Sequence, residues 1–541
     1  MKAWISRGIA LAVTAGLAVW FHYLMLPALT LKSEGFWSYL ILIVVIACGL
    51  FVGADLSTLG KSKILSMKRR FFSTKIVGVV AVVLLLGWLL ASIPSWEVFR
   101  AGTYRNSITI SNDGDFDQDV PRVQDAKDIP IVDMLTAQQL GDRTMGAMEH
   151  YLSQYEVDGE YNLISYKGSY YRISPMNYGG FFKYMNSKKT GIPGYVLVNI
   201  YTQEAELVEL KQPIQYSPSA HFKHLLSRHL RKNYPTYVFD KAQFEIDDDG
   251  IPYYIVPVTS PTAGLFGARV VKRVVLVNAV TGETADVAVA DVPAWVDHVF
   301  SVDYIMERIN WHYSYVHGFW NTAFANKDVR KTSYSFDAEQ YYFIAKEDDV
   351  YLYTGITSAG KDESNIGFVM ANMRTGDIKY YSNPGAEESS AQASAEGVVQ
   401  QFGYTAGPAM LVNIDGMETY FMSLKDNQML VKKVALVNKT NYTIAVVEDT
   451  VAQAVAAYRA RFSGEIKTET TEISGTVSEL YTAIKEGNTH YYFRLDGEPR
   501  LFASSLLNND RQVAMKVGDK VKIQVVATGE NTAIVQTITI E

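Results

Sequence analysis

Three uninterrupted apolar runs before residue 100 constrain this chain more than any other feature of its sequence. They cover about residues 8–31, 36–56 and 76–96. Because the apolar core of a bilayer is about 30 Å thick, a helix needs about 20 apolar residues to cross it, and each run is long enough. The sequence therefore predicts three transmembrane helices within residues 1–96.

The orientation in the membrane follows from the positive charges in the short loops, since lysine and arginine resist translocation. The loop between the first and second runs contains only Lys32, whereas the loop between the second and third contains Lys61, Lys63, Lys68, Arg69, Arg70 and Lys75. A cleaved signal peptide is the alternative for the first run, which Lys2 and Arg7 precede, but that run is long and two more follow it. We therefore expect a plasma-membrane protein with a cytoplasmic N-terminus and with residues 97–541 outside the cytoplasm.

Charge and cysteine content exclude several functional classes. The formal net charge is -7, whereas a general nucleic-acid binder needs a basic surface, so no nucleic-acid partner is expected. The single cysteine, Cys48, lies inside the second apolar run. The exterior region therefore has no thiol for a disulfide, a zinc site or a nucleophile, and no cofactor is predicted.

The exterior region contains four similar stretches. In each, an apolar strand reaches an asparagine, and a short turn and a second alternating strand follow it; the asparagines are Asn199, Asn278, Asn372 and Asn438. A tyrosine-rich hairpin and an amphipathic helix precede each stretch, which is typical of a helix packed on a small antiparallel sheet. The predicted order is a polar linker (97–135), four α+β modules (136–210, 211–298, 299–385 and 386–465) and a last domain (466–541).

Two of these regions resemble known folds. The helix, the segment GIPYYIV and the segment VVLVNAVTGE within residues 215–290 resemble the PepSY-type module of extracytoplasmic bacterial proteins. That resemblance implies binding or the restraint of envelope peptidases rather than catalysis. The short alternating strands after residue 466 resemble a five-stranded barrel of the OB type. The predicted fold class is thus a membrane-anchored α+β protein with three N-terminal transmembrane helices, repeated helix-plus-antiparallel-sheet modules and an OB-like C-terminal barrel.

Three groups of residues are candidate sites. His221 and His224 are spaced for a shared metal, but a third ligand is not apparent, and interleaved cations favour a basic helix surface that includes Arg228, Arg231 and Lys232. An aromatic cluster is either a ligand pocket or a packing contact between modules, and the second is favoured. Its candidate partner-binding residues are Trp311, His312, Tyr315, His317 and Trp320.

No HExxH, GxSxG, CxxC or phosphate-binding glycine motif is present in the sequence. We therefore expect a non-catalytic binding, regulatory or assembly scaffold of the bacterial cell envelope. Its expected partners are the lipid bilayer and an envelope protein or cell-wall component, and homo-oligomerisation is left open. The alternatives are a subunit of a larger membrane complex for secretion, transport or DNA transfer, and a metal-dependent envelope enzyme.

Overall fold

The protein folds as an α+β chain that forms two compact units. The computed structural model describes residues 2–57, 72–120, 122–333, 341–359, 365–462, 471–485, 488–505, 512, 515–527 and 532–540. The first unit comprises Met1–Gly114 with Met134–Pro384, and the second comprises Asp115–Asp133 with Gly385–Glu541.

The first unit begins with three long apolar helices, α1 (Lys2–Met25), α2 (Glu34–Ser57) and α3 (Phe72–Ser92). The stretches Trp4–Met25, Glu34–Leu56 and Thr74–Ser95 are long and apolar enough to cross a membrane, which confirms the prediction of three such helices. Helix α1 ends at Met25 rather than at Leu31, because Pro27 disfavours helical geometry at Leu26, whose φ is +47°. Lys61, Lys63, Lys68, Arg69 and Arg70 of the predicted basic loop lie outside the described residues.

A polar contact joins the three spans at the end that carries the N-terminus. Arg7 on α1 forms an ion pair of 2.8 Å with Asp55 on α2. The Thr74 hydroxyl on α3 donates a hydrogen bond of 2.7 Å to the same carboxylate. The Asp55 side chain is buried, so pairing offsets much of the cost of removing its charge from water.

The part of the first unit that follows α3 contains three sheets of mainly antiparallel strands. Its helices are α4 (Glu97–Arg105), α6 (Met134–Gly146), α7 (Glu149–Leu152), α8 (Phe181–Ser187), α9 (Leu226–Asn233), α10 (Val302–Ser314) and α11 (Phe319–Phe324). The first sheet consists of β2 (Tyr155–Val157), β3 (Asn162–Tyr166), β4 (Ser169–Tyr178), β5 (Ile192–Asn199) and β6 (Ala205–Ile214). The second consists of β7 (Val238–Phe239), β8 (Gln243–Ile246), β9 (Pro252–Ala263), β10 (Gly267–Asn278) and β11 (Thr284–Ala288).

The third sheet contains β12 (Arg330–Thr332), β13 (Tyr342–Lys346), β14 (Asp349–Ser358), β15 (Asn365–Asn372) and β16 (Ile378–Tyr381). Strand β1 (Ile110–Ser111) lies parallel to β16 at its edge. The strand orders are β2-β4-β5-β6, β7-β9-β10-β11 and β12-β14-β15-β16, and β3, β8 and β13 pair with the second strand of their own sheet. The three sheets therefore share one connectivity.

Local side-chain chemistry explains the recurring asparagines. The Oδ1 atom of Asn278 accepts hydrogen bonds from the backbone N–H groups of Val280 (3.0 Å) and Thr281 (2.9 Å). Asn199 and Asn372 form the same two bonds in their own turns. Because the asparagine carbonyl replaces a backbone acceptor, it ends one strand and starts the turn to the next. The hairpins predicted at these positions are formed.

One hydrophobic core joins the first two sheets. It contains Ile173 and Leu197 from the first sheet and Val256 and Val275 from the second, together with Leu230 of α9. A smaller cluster places Tyr104 of α4 against Ala263 and Ala268 in the hairpin between β9 and β10, and Tyr315 joins it. The chain that leaves the third span is thereby packed onto the second sheet.

The second unit contains a fourth sheet of the same connectivity. Its strands are β17 (Thr405–Ala406), β18 (Met410–Ile414), β19 (Met417–Lys425), β20 (Val431–Asn438) and β21 (Ala445–Glu448), in the order β17-β19-β20-β21 with β18 on β19. Its helices are α5 (Phe116–Asp119), α12 (Glu388–Val398) and α13 (Val451–Arg461). Asp133, from the predicted linker, forms a buried ion pair with Lys425.

The C-terminal strands form a closed five-stranded barrel. They are β22 (Thr471–Lys485), β23 (Asn488–Leu495), β24 (Leu501–Ser505), β25 (Lys520–Ala527) and β26 (Thr532–Ile540). The order around the barrel is β22-β23-β24-β26-β25, with β22 also paired to β25. Phe493, Phe502 and Ile523 are buried together in its hydrophobic core.

Candidate functional site

Two arginines of helix α9 lie against the end of the first span. Arg228 donates a hydrogen bond to the Tyr23 carbonyl (3.1 Å), and its guanidinium lies 3.9 Å from the centroid of the Tyr23 ring. Arg231 donates to the carbonyls of Leu26 (3.0 Å) and Tyr237 (2.7 Å), and burial lowers the pKa of its guanidinium. Because the last carbonyls of a helix carry partial negative charge, these arginines stabilise the end of the span.

The predicted basic surface therefore divides into two parts. Arg228 and Arg231 bind backbone carbonyls of the same chain, whereas the Lys232 side chain is exposed to solvent. The loop between the first two long helices also contacts the segment after α9, since the Leu29 N–H donates to the Pro235 carbonyl (2.7 Å). This contact holds the start of the second sheet beside the loop that joins α1 and α2.

The two candidate metal-binding histidines have aromatic neighbours. The His221 ring packs against Phe181 and Tyr184, each with 5.2 Å between centroids. The His224 ring packs against Tyr216, and its pKa is lowered by burial and by the charge of Lys223. No group of three or more histidine, cysteine, aspartate or glutamate side chains that could hold a metal ion occurs among the described residues.

The residues of the predicted aromatic cluster lie in several different environments. Trp311 packs edge-on against Tyr104 with 4.7 Å between centroids, and the Tyr315 hydroxyl donates to the Glu97 carboxylate. His312 contacts the Arg105 carbonyl (3.2 Å), and His317 contacts Asp328 (2.8 Å) on the surface. Trp320 is exposed on α11. Trp311 therefore lies beside a cavity, whereas the other members of the cluster lie in packing contacts or on the surface.

That cavity, which we call the charged cleft, has a volume of about 740 Å³. Its aromatic lining comes from Tyr104 on α4, Tyr304 and Trp311 on α10, Phe239 on β7, and Phe266. The helix α10 begins at its N-cap Ser301, whose hydroxyl accepts from the Tyr304 N–H, and turns the rings of Tyr304 and Trp311 toward the second sheet. A cavity of this size is within the range of small-ligand and peptide side-chain sites.

Four carboxylates and three cations line the charged cleft. The carboxylates belong to Glu97, Asp240, Asp303 and Glu307, and the cations belong to Lys241, Arg269 and Arg308. Each cation is already bound by protein oxygens. Lys241 pairs with Glu160 (2.6 Å), Arg269 donates to the Lys32 carbonyl, and Arg308 pairs with Glu307 (3.3 Å). The four carboxylates outnumber the three cations, so the lining carries a net charge of -1.

Arg308 organises the wall of the cleft. Its guanidinium carbon lies 3.2 Å from the centroid of the Tyr304 ring, and its Nη1 atom donates to the Tyr304 carbonyl (2.8 Å). It also donates to the Arg269 carbonyl on β10. Burial lowers the pKa of Arg308, whereas desolvation in the cleft raises the pKa of Glu307 above its ordinary value. The bond from Arg308 to the Arg269 carbonyl thus tethers α10 to the second sheet.

A second cavity, of about 770 Å³, shares the segment from Val238 to Lys241 with the charged cleft. One wall is the loop after the first span, including Leu26 and Pro27, and the other includes Leu226 and Val256. This cavity is mostly apolar. The two cavities therefore offer an apolar and an acidic environment on either side of one short segment.

A third feature is a pair of buried carboxyl groups. The two Glu245 oxygens accept hydrogen bonds from the backbone N–H groups of Asp297 (2.8 Å) and His298 (2.7 Å). Burial raises the pKa of Glu245 to about 8. Burial and the nearby Glu245 charge raise the pKa of Asp297 well above its ordinary value, and burial lowers the pKa of His298 to about 4.

Sequence reasoning identified one residue of the charged cleft, Trp311, and missed its carboxylates. Glu97 lies in the predicted polar linker, and Asp240 and Glu307 belong to no recognisable sequence motif. Only the spacing of Asp303 and Glu307, one helical turn apart on α10, is visible in the sequence. That spacing is common on solvated helices, so it does not indicate a binding site.

Comparisons with known proteins identify no family. No protein-family model matches the chain, and no curated protein matches it. Among solved structures, one match is the crystal structure of a thermostable family-43 glycoside hydrolase, at 12% sequence identity and a TM-score of 0.17. The match covers 53% of this chain and 73% of that chain. A TM-score this low does not establish a shared fold.

Proposed function

We propose that this chain is a membrane-anchored, extracytoplasmic and non-catalytic binding scaffold of the bacterial cell envelope. In this proposal the N-terminus is cytoplasmic, residues 97–541 lie outside the plasma membrane, and the charged cleft binds a cationic segment of an envelope protein. The observation that carries it is the acidic, aromatic-lined cleft, whose Arg269 binds the Lys32 carbonyl between the first two long helices.

The repeated connectivity supports the proposal that the exterior region is an array of PepSY-like modules. All four sheets have the same strand order, and the turn asparagines, including Asn438, accept from backbone N–H groups of their own turns. Arrays of small modules present extended surfaces to protein partners. The strand order of the C-terminal barrel supports an OB-type assignment, and its buried hydrophobic core favours a structural or contact role.

The chemistry of the cleft favours a lysine or arginine side chain as its ligand. A cation gains from the excess of carboxylates, and its aliphatic stem packs on Trp311 and Tyr304. Asp303 is exposed at the cleft, so its carboxylate is accessible to a partner. A basic peptide segment satisfies both requirements.

The test uses the full chain in lipid nanodiscs and a fluorescein-labelled, lysine-rich peptide, with binding measured by anisotropy. We expect binding that weakens with added salt, and we expect Asp303→Asn to weaken it about threefold to tenfold, the range for a partly solvated charge pair. Asp291→Asn, an exposed aspartate outside the cleft, is the matched control. Equal affinities for the two variants, or equal binding of a glutamate-rich peptide, would refute the assignment.

A second candidate function is a subunit of a larger membrane complex. Gly49 and Gly53 lie one turn apart on α2, and a Cβ atom added to either would meet nothing within 4 Å. Exposed small residues of this spacing allow close approach of another transmembrane helix. Purification in mild detergent distinguishes the two functions, because a complex subunit retains membrane partners in fixed stoichiometry and a lone anchor does not.

A further inference from the structure

Several large aromatic side chains on the exterior part of the first unit are exposed to an unusual degree. Phe182 is 81% exposed, Phe324 is 79%, Trp320 is 62% and Phe99 is 61%. Exposed aromatic rings of this size cost free energy in water, and clusters of them mark interaction surfaces. Although they lie far apart in the sequence, they belong to two patches of aromatic rings.

The first patch, which we call the span-3 aromatic patch, consists of Trp96, Phe99, Trp320 and Phe324. Trp96 directly follows the third span, and its ring stacks on Phe99 with 6.4 Å between centroids. Trp320 stacks on Phe324 at 5.8 Å, with the two rings 7° from parallel. Both pairs therefore present flat, stacked rings.

Packing between helices holds the two halves of this patch together. Helix α11 packs against α4, the helix that begins one residue after Trp96. Phe319 on α11 packs on the core that contains Tyr104 of α4. Helix α11, which carries Trp320 and Phe324, is consequently held against the helix that follows the third span.

The second patch, which we call the span-1 aromatic patch, consists of Phe181, Phe182 and Phe222. Phe181 and Phe222 are in ring contact at 6.1 Å, and Phe181 also contacts Phe182 at 5.6 Å. Arg228 donates to the Phe222 carbonyl (2.8 Å) and to the Tyr23 carbonyl (3.1 Å), so one side chain ties the patch to the first span.

The strained backbone at Phe222 also indicates that the exposed position of its ring has a function. Its φ is +53°, in the left-handed region that a bulky residue rarely adopts. Such strain persists only where the surrounding structure holds it. Lys183 and Lys223, next to the patch in sequence, supply cations that suit anionic lipid headgroups.

We propose that the two aromatic patches are embedded in the outer interface of the lipid bilayer. Tryptophan and other aromatic rings concentrate at the boundary between headgroups and acyl chains. Trp96 directly follows the third span, and Arg228 joins Phe222 to the end of the first span, so we assign the bilayer rather than a soluble protein as the occupant. The exterior region then rests on the membrane at two points, and the charged cleft, which includes Glu97 of α4, opens at the membrane surface.

The test places an environment-sensitive NBD label at single cysteines in the full chain reconstituted in lipid-only nanodiscs. Cys48→Ala first removes the native thiol, and Phe182→Cys and Trp320→Cys then report the two patches. Glu347→Cys is the aqueous control, because it lies in a turn with Asp348 and Asp349 whose carboxylates would not enter a bilayer.

We expect blue-shifted emission at positions 182 and 320, strong quenching by doxyl-labelled lipid and at least about fivefold less quenching by aqueous iodide than at position 347. Thermal unfolding shows whether each variant folds. If Trp320→Cys does not fold, Phe324→Cys replaces it as the label site in the span-3 aromatic patch. The proposal is overturned if the labels in both patches, at 182 and at 320 or 324, show the emission and quenching of the label at 347. If only one patch gives that aqueous signal, the proposal is overturned for that patch. A partner protein would then be the occupant.

Discussion

Replacing Glu245 with glutamine should remove a pH-dependent loss of stability that the buried carboxyl group imposes on the first unit. The Glu245 side chain is fully buried, and its pKa is raised by burial from an ordinary 4.5 to about 8. A carboxyl group with a raised pKa stabilises the folded state below its unfolded pKa. That contribution is lost as the pH rises through the folded pKa, because ionisation is easier in the unfolded chain.

The magnitude follows from the two pKa values. The gap between 4.5 and about 8, at about 1.4 kcal/mol per pH unit, sets an upper limit of about 5 kcal/mol. Linkage places about 3 kcal/mol of this loss between pH 5 and pH 8. Other titratable groups face the same site. Ionisation of Asp297 also lowers the stability of the folded state as the pH rises, because the pKa of Asp297 is raised. Protonation of His298 lowers the stability toward low pH, because burial lowers the pKa of His298 to about 4.

The assay is thermal unfolding of the detergent-solubilised full chain, followed by intrinsic fluorescence between pH 5 and pH 8. Glu245→Gln keeps the shape of the side chain and loses one acceptor for the two backbone N–H groups, which costs about 1–2 kcal/mol at every pH. It should therefore melt below the parent at pH 5 and above it at pH 8.

The matched control is Glu156→Gln on β2, whose side chain is exposed. This variant should follow the parent at every pH. A Glu245→Gln variant whose melting temperature differs from the parent by a constant amount across the range would refute the linkage argument. In that case the carboxyl group would keep one protonation state throughout.

Three further substitutions test contacts at other levels of the fold. Arg231→Ala removes a buried donor from the Leu26 carbonyl and should destabilise the first unit by about 2–3 kcal/mol in chemical denaturation, whereas Lys232→Ala should have almost no effect. Lys425→Met leaves the buried Asp133 carboxylate without its cation and should cost about 3–5 kcal/mol, measured by the same assay on the second unit. Tyr458→Phe removes the hydroxyl that contacts Thr419 (2.9 Å) and should cost about 1–3 kcal/mol; an unchanged midpoint would contradict the assigned bond.

The local features of the fold were predictable because each depends on residues close together in the chain. The three long helices follow from length and hydropathy, and the turn at Asn278 follows from an asparagine that binds the N–H groups two and three residues on. The end of the first helix was placed too late, although Pro27 marks it, because composition alone continues to Leu31. Residue 97 begins a helix that packs on the second sheet, which its polar composition did not indicate.

Three helices long and apolar enough to cross a membrane, followed by hairpins with asparagine turns, were predictable from the amino-acid sequence, since hydrophobicity and turn preferences act over a few residues. Tertiary structure alone decided that Glu97, Asp303 and Glu307 meet around Trp311 and that Glu245 and Asp297 become buried together. Burial and electrostatic coupling depend on which distant segments pack against one another, and packing sums weak contacts over the whole unit. The site therefore became visible only when the span ends and the second and third sheets were placed in one unit.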